Sequence, residues 1–346
     1  MKIGILTFHW SDNYGAVIQC YALQEYLKSQ GHEVEIINYT PLKYSLFFSK
    51  LLLHPSQLKN FSLVKVQKQK HRFLKRFKLK NLCMSSRIFK HAAIESQALK
   101  YDAIISGSDQ VLNASFLLYG ENGHTPVYYL PYSSPKKIGY AVSFGCTSYP
   151  TEAIGYAKTL VNNFDIVGVR EHTGMGVLNQ LGYKGTGFVV PDPTILYGNH
   201  LFDGISLAPK KESYYCVYML RSKISISCDS AVVYMDDSIK PVSMEEWIST
   251  IKYSKGLVTN SYHGMIMAIL NHVPFVVILE SGEVSGMNDR FYTLLDRLEL
   301  KDRIHQYFSN RLIDSLEDSI DWSTVESKIS DYRRIGVDFL NNALTV

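Results

Sequence analysis

The sequence predicts an α/β fold with two Rossmann-like, doubly wound domains facing a cleft. Three observations lead there. Short apolar runs alternate with stretches of helical periodicity along almost the whole chain, the pattern of parallel βαβ units. The 346 residues exceed one average domain and suit two. The alternation pauses near residues 191–212, where Pro191 and Pro193 flank Asp192 and force an extended turn, read as a hinge or linker.

The first series opens with "KIGILTF" (2–8), a buried strand. A helix follows from Gly15, with Gly31 as its stop, and then the strand "HEVEIINY". A basic helical insertion spans 43–95. Strands resume at 101–108, 136–145, 164–171 and 187–193, with helices at 151–163 and 173–181 between them. In the second series "SYYCVYML", "SAVVYM", "GLVTN" and "PFVVILE" read as strands. The span between the first two is short for a helical crossover, so that sheet edge is expected to be abbreviated. Ser243 with Glu246 three residues on forms a capping box for "SMEEWISTIKYS". "MIMAILNH" and "NDRFYTLLDRLEL" read as helices, and 323–344 as an amphipathic one. The expected division is an N-terminal domain over 1–192 and a C-terminal domain over 193–322. A terminal helix over 323–346 is free to cross back to the first.

Hydrophobic residues at 46% and charged residues at 20% are an ordinary globular balance with material for real cores. Five cysteines, an odd number without CxxC spacing, argue for free thiols in a reducing compartment and against a disulfide framework or zinc site. Polar residues interrupt the N-terminus too early for a signal peptide, and no run approaches the ~18 apolar residues of a spanning helix. A cytoplasmic location follows. Net charge is only +4, but between 43 and 100 Lys or Arg stands at 43, 50, 59, 65, 68, 70, 72, 75, 76, 78, 80, 87, 90 and 100 against the single acid Glu95. With apolar residues threaded through it, this segment suits an anionic membrane surface or is simply a solvated face. No nucleic-acid motif accompanies it, so nucleic acid is not assigned as a partner.

Four stretches at strand ends could carry chemistry. "SDNYGAVIQCYALQ" places Asn13, Tyr14, Gly15 and Gln19 at a helix N-terminus, where amides favour a polar ligand or the turn is merely capped. A lone Gly15 is no dinucleotide fingerprint. "SGSDQVLN" offers Asp109 and Gln110, for hydroxyls or for a helix cap. In "GVREH", Arg170 either holds a carboxylate or phosphate bidentately or pairs with Glu171 or another acid nearby. In "TNSYHG" a strand ends and a helix begins at about Ser261 or Tyr262, so His263 falls in the first turn. There it is placed to move a proton next to a bound phosphate, or it is a buried structural histidine.

Together, "KIGILTFHWSDNYGAVIQCYALQEYLKSQGHEVEIINY", "DAIISGSDQVLN", "VSFG", "VGVRE", "VVPDPT", "TNSYHG" with "HVPFVVI", and "NDRFYTLLDRLEL" resemble the polysaccharide pyruvyl transferase family. They occur in family order over nearly the whole chain. The resemblance implies a GT-B-like fold. It also implies transfer of the enolpyruvyl group of phosphoenolpyruvate onto a sugar diol of a capsular, exopolysaccharide or cell-wall glycan, with release of phosphate. His263 is then the acid/base. Arg170, Ser261, Tyr262, Gly264 and Arg290 bind the donor, Arg290 taking the place of an Arg that some members carry where Ser261 stands. Asn13, Tyr14, Gly15, Gln19, Asp109 and Gln110 form the acceptor side. No cofactor and no metal are implied, phosphoenolpyruvate being a substrate. The acceptor glycan can be lipid-linked, which would put the enzyme at the inner face of the cell membrane through its basic insertion. Two other readings stand beside this one: a sugar-nucleotide glycosyltransferase on the same fold, and a non-catalytic scaffold of a glycan assembly complex.

Overall fold

The computed structural model describes residues 1–45, 61–121, 123–134, 136–205, 207–208 and 213–345. Positions 46–60 of the basic insertion, with Lys50 and Lys59, lie outside the described residues. The chain forms two compact units. One comprises Met1–Lys59, Lys78–Tyr197 and Tyr332–Val346, the other Asn60–Phe77 and Gly198–Asp331. The fold class expected from the sequence, α/β with two Rossmann-like units, is what the chain shows.

The first unit holds six parallel strands in the order β2-β1-β3-β4-β5-β6. They are β1 Lys2–Leu6, β2 Glu33–Ile36, β3 Ala103–Ser106, β4 Lys137–Val142, β5 Ile166–Val169 and β6 Gly187–Val189. β1, β3 and β4 are buried almost throughout, which is why they read as unbroken apolar runs rather than alternating ones. Helix α1, Tyr14–Ser29, follows β1 and is buried from Tyr14 to Leu23 without a solvent face. Its buried polar groups, such as Gln19, must then find partners inside the protein.

The second unit holds five parallel strands in the order β11-β10-β9-β7-β8: β7 Tyr214–Tyr218, β8 Ala231–Tyr234, β9 Gly256–Thr259, β10 Phe275–Ile278 and the two-residue β11 Ile304–His305. β7 and β8 pair in parallel although residues 219–230 contain no helix, so the short span is indeed an irregular crossover. Helix α2, Phe61–Asn81, carries the basic stretch, and within this unit Lys70 pairs with Asp237 at 2.6 Å. Ser243 accepts the N–H of Glu246 and caps α3, Met244–Lys252. Helices α4, Tyr262–Leu270, and α5, Asp289–Arg297, follow β9 and the loop after β10. All five cysteines are free, and no helix among the described residues is long and apolar enough to cross a membrane.

The last helix, α6, Trp322–Leu344, packs its C-terminal half in the first unit, where Phe339 meets Tyr140 and Phe188. Gly336 is the contact point. A Cβ there would lie 2.7 Å from Pro191 Cγ, 2.8 Å from Tyr140 Oη and 3.0 Å from Leu196 Cδ1. Helix propensity favours alanine over glycine by about 1 kcal/mol, but overpacking against a proline ring and a buried tyrosine costs about 1–3 kcal/mol. Gly336→Ala is therefore expected to lower stability in denaturant unfolding. A stabilised variant would mean that the α6 contact is loose.

Candidate active site

At the carboxyl edge of the first sheet the sequence-predicted residues form a tightly bonded group. Asn13 caps α1, its Oδ1 accepting the N–H of Ala16 at 3.1 Å, and its side chain is exposed. Tyr14 and Gly15 are buried. Gln19 is fully enclosed, and its amide is used on both ends. Nε2 donates to Thr7 Oγ1 at 2.9 Å and to Ala16 O at 2.8 Å, and Oε1 accepts the N–H of Ser108 at 3.0 Å. Gln19 thus ties the loop after β1 to the loop after β3 rather than presenting its amide to a ligand. His9, in the same loop, has its ring nitrogens 3.2 Å from Thr7 O and from Asn38 Oδ1. Burial pushes its pKa down to about 4, against the help of the Asn38 contact, so the ring is neutral at neutral pH.

Arg170, one residue past β5, has a different occupation from the donor role assigned to it. Its side chain has no solvent exposure. Nη1 lies 3.3 Å from Asp192 Oδ2, Nε 3.4 Å from Glu171 Oε2 and Nη2 3.7 Å from Asp109 Oδ1. Asp192, read from sequence as a linker residue, is itself buried. Its Oδ1 accepts the N–H of Thr194 at 3.0 Å and Oγ1 of the same residue at 2.7 Å. Asp109 takes a left-handed backbone, φ 80°, and its carbonyl accepts the N–H groups of Val111 and Ser143. The guanidinium joins the ends of β3 and β5 to the turn at Asp192, which is the pairing alternative for Arg170 with two more acids than the sequence suggested. Asp109 and Gln110 remain half-exposed at this edge.

The second sheet has its own edge site. β9 ends at Thr259, whose Oγ1 donates to Tyr218 O at 2.6 Å and accepts the N–H of Ser261 at 2.9 Å. Ser261 is the N-cap of α4, its Oγ accepting the N–H of Gly264 at 3.2 Å. A Cβ on Gly264 would meet Ser261 Cβ and Tyr218 Cδ1 at 3.2 Å, so the turn is built around glycine. His263 sits in the first helical turn and is 6% exposed. The Tyr262 ring stands edge-on to it at 5.5 Å, and the Arg290 guanidinium lies over the rings of Tyr262 and Phe291, 5.5 and 5.3 Å from their centroids. Arg290, His263, Tyr262, Ser261 and Gly264 are thus gathered at one helix start.

Three neighbours of that start were given no site role from sequence. Asn260 is buried. Its Oδ1 accepts the N–H of Leu220 at 2.7 Å and its Nδ2 donates to Glu280 Oε1 at 3.0 Å. Arg221 Nη1 reaches the same Glu280 oxygen at 3.0 Å. The signal available in sequence was positional only: each follows the end of a parallel strand, where ligands of such sheets bind.

Separately, along α2, a cavity of about 590 Å³ is lined by Lys65, Lys68, Arg72 and Arg76 together with Val64, Gln69 and Phe73.

Each of the two units is built on a parallel sheet, and a histidine stands at a strand-to-helix junction of the second. The chain belongs to the polysaccharide pyruvyl transferase family: the family model described as Polysaccharide pyruvyl transferase matches residues 13–282. It is accordingly a transferase of polysaccharide biosynthesis. No curated protein matches it in sequence. Among solved structures it is similar to S. aureus MnaA in complex with UDP, at 12% identity and a TM-score of 0.52, covering 99% of this chain and 96% of that one. A UDP-GlcNAc 2-epimerase from Methanocaldococcus jannaschii has 13% identity and a TM-score of 0.48, covering 99% and 100%. The glycosyltransferase SnogD from Streptomyces nogalater has 12% identity and a TM-score of 0.42, covering 99% of both chains. At these identities the likeness to MnaA speaks for the fold alone.

Removing a buried cation from three carboxylates leaves uncompensated charge. Arg170→Met is expected to cost about 3–5 kcal/mol of stability, read by denaturant unfolding. A variant of unchanged stability with weakened donor binding would return Arg170 to the donor site.

Proposed function

We propose that this pyruvyl transferase uses phosphoenolpyruvate as donor and a sugar diol of a capsular, exopolysaccharide or cell-wall glycan precursor as acceptor, forming a pyruvate ketal and releasing phosphate. The observation that carries the reading is the seat of His263, in the first turn of α4 at the carboxyl end of β9. The first N–H groups of a helix have no partner within it, and with the helix dipole they favour a phosphate. A ring beside that phosphate is placed to move protons to and from the reacting carbon.

The reaction balances with one proton carrier. A proton added to the methylene carbon gives oxocarbenium character at C2 of the donor. One hydroxyl attacks C2 and gives up its proton. The bond from C2 to the phosphate oxygen breaks, its electron pair leaving with phosphate, and the second hydroxyl closes the ring and loses its proton. Two protons leave the diol; one ends on the new methyl group and one on phosphate. Imidazole can take and return them. In this reading Ser261, Tyr262, Gly264 and Arg290 frame the donor. Ser261 and Gly264 do so by shaping the turn, since the Gly264 N–H is spent on the Ser261 cap. Asn13, Asp109 and Gln110 serve the acceptor, and no cofactor takes part.

His263→Gln keeps hydrogen bonding and volume but cannot titrate. It is expected to fold and to bind phosphoenolpyruvate within a few-fold of wild type, while phosphate release falls roughly 10²–10⁴-fold. A stable, donor-binding variant with near-wild-type turnover would remove the proton-transfer role.

We also propose a peripheral contact between α2 and the anionic inner face of the cell membrane, where a lipid-linked acceptor would reside. Lys65, Arg72, Lys75, Arg76 and Lys80 are exposed on a helix that has no acidic residue. At about 1 kcal/mol for each cation near such a surface, they suffice for salt-sensitive binding. Cosedimentation should then show binding to anionic liposomes at low salt, loss at high salt, and none to neutral vesicles. Equal binding to both vesicle types, or to neither, would exclude the contact.

A further inference from the structure

The carboxyl edge of the second sheet holds a cation that the reading above leaves unused. Arg221 follows β7, its side chain 47% exposed, while its partner Glu280 is 9% exposed. Arg221 Nη1 and Asn260 Nδ2 both lie 3.0 Å from Glu280 Oε1. Asn260 in turn accepts the N–H of Leu220, the residue before Arg221. The contacts close a ring, from the root of Arg221 through Asn260 to Glu280 and back to the guanidinium. Glu280 is fixed from its far side as well. Its N–H donates to Asn288 Oδ1 at 3.1 Å, and Asn288 Nδ2 donates to its carbonyl at 2.8 Å. Asn260 immediately precedes Ser261, the N-cap of the helix that carries His263, so the ring holds the Arg221 side chain at that helix start.

We propose that Arg221 binds the acidic donor beside His263, presenting the fork edge that Glu280 does not use to a phosphate or carboxylate of phosphoenolpyruvate. The proposal rests on the pyruvyl-transfer reading and names the cation of that site. Of the three arginines in view, Arg170 is enclosed by three carboxylates and Arg290 lies over two aromatic rings. Arg221 is half in solvent with a single carboxylate partner among the described residues. A guanidinium has five N–H donors in one plane, and one bond to Glu280 occupies one of them. Glu280 offsets part of the charge. It also restrains the fork through the Nη1 bond, so less side-chain freedom is lost when an anion docks.

The test uses the full chain and titrates phosphoenolpyruvate calorimetrically into wild type, Arg221→Met and Arg221→Lys, alongside thermal unfolding and phosphate-release kinetics. Wild type should bind. Arg221→Met should bind at least tenfold more weakly, and Arg221→Lys should fall between the two. Unfolding midpoints should match, and the loss should enter KM for phosphoenolpyruvate more than kcat. Wild-type affinity in a folded Arg221→Met overturns the proposal while leaving the pyruvyl-transfer reading intact. If Arg221→Met does not fold, Arg221→Lys decides: it keeps the charge next to Glu280 but not the planar fork, and an unchanged affinity there overturns the proposal. A wild-type protein that binds UDP-N-acetylglucosamine and not phosphoenolpyruvate overturns both.

Discussion

A parallel strand cannot be joined to its neighbour by a hairpin; the chain must cross the face of the sheet before it returns. That constraint puts every strand-to-helix junction of a sheet on the same edge. In the first unit it gathers the loops after β1, β3 and β5, which are far apart in sequence. In the second it gathers the ends of β7, β9 and β10. Each candidate functional group stands at such a junction, so the strands act as rulers that bring distant residues into reach. Burial of the central strands on both faces makes the rulers rigid.

Junctions gathered in this way carry unsatisfied amides and polar side chains, and the two units handle them differently. The first unit uses most of its polar groups on itself. The Gln19 amide bonds at both ends, and the Arg170 guanidinium is ringed by Asp109, Glu171 and Asp192. A buried cation is tolerable only when its donors meet acceptors, because desolvation otherwise exceeds the Coulomb gain. Such an arrangement gives a stiff edge with few groups to spare: Asn13, Asp109 and Gln110 keep some exposure there. The second unit closes a smaller ring through Asn260, Glu280 and Arg221, and leaves Arg221 half in solvent.

Much of this was legible in the sequence. β1, β3, β9 and β10 were visible because strands buried on both faces become unbroken apolar runs. The start of α4 was visible because a small polar residue before an apolar helix is a capping signal, and Ser261 does cap it. The missing helix between β7 and β8 was visible from length alone. Other features could not be seen. Nothing local marks Asp192 as a partner of Arg170, since the two are separated by a helix and a strand and meet only through sheet order. Its flanking prolines pointed instead to a linker. Gln19 looked like a ligand group because its three bonding partners, Thr7, Ala16 and Ser108, include one 89 residues away. β11 has two residues, too few for periodicity to register.

Arg221 shows the same limit from the other direction. In "YMLRSK" it is an arginine after a strand, and the sequence gives it no more weight than Arg170 or Arg290. What separates the three is the number and placement of their acceptors. An arginine enclosed by three carboxylates has its charge overcompensated, so a further anion would meet net repulsion. One lying over aromatic rings keeps its charge, with the rings covering part of its faces. One held by a single fixed carboxylate retains donors on its outer edge and has already lost much of its rotational freedom. An anion gains most from the last, because its directional bonds form against the smallest entropic loss. Sequence fixes which arginines follow strands, and only the crossing order of the strands decides how many acids each one meets.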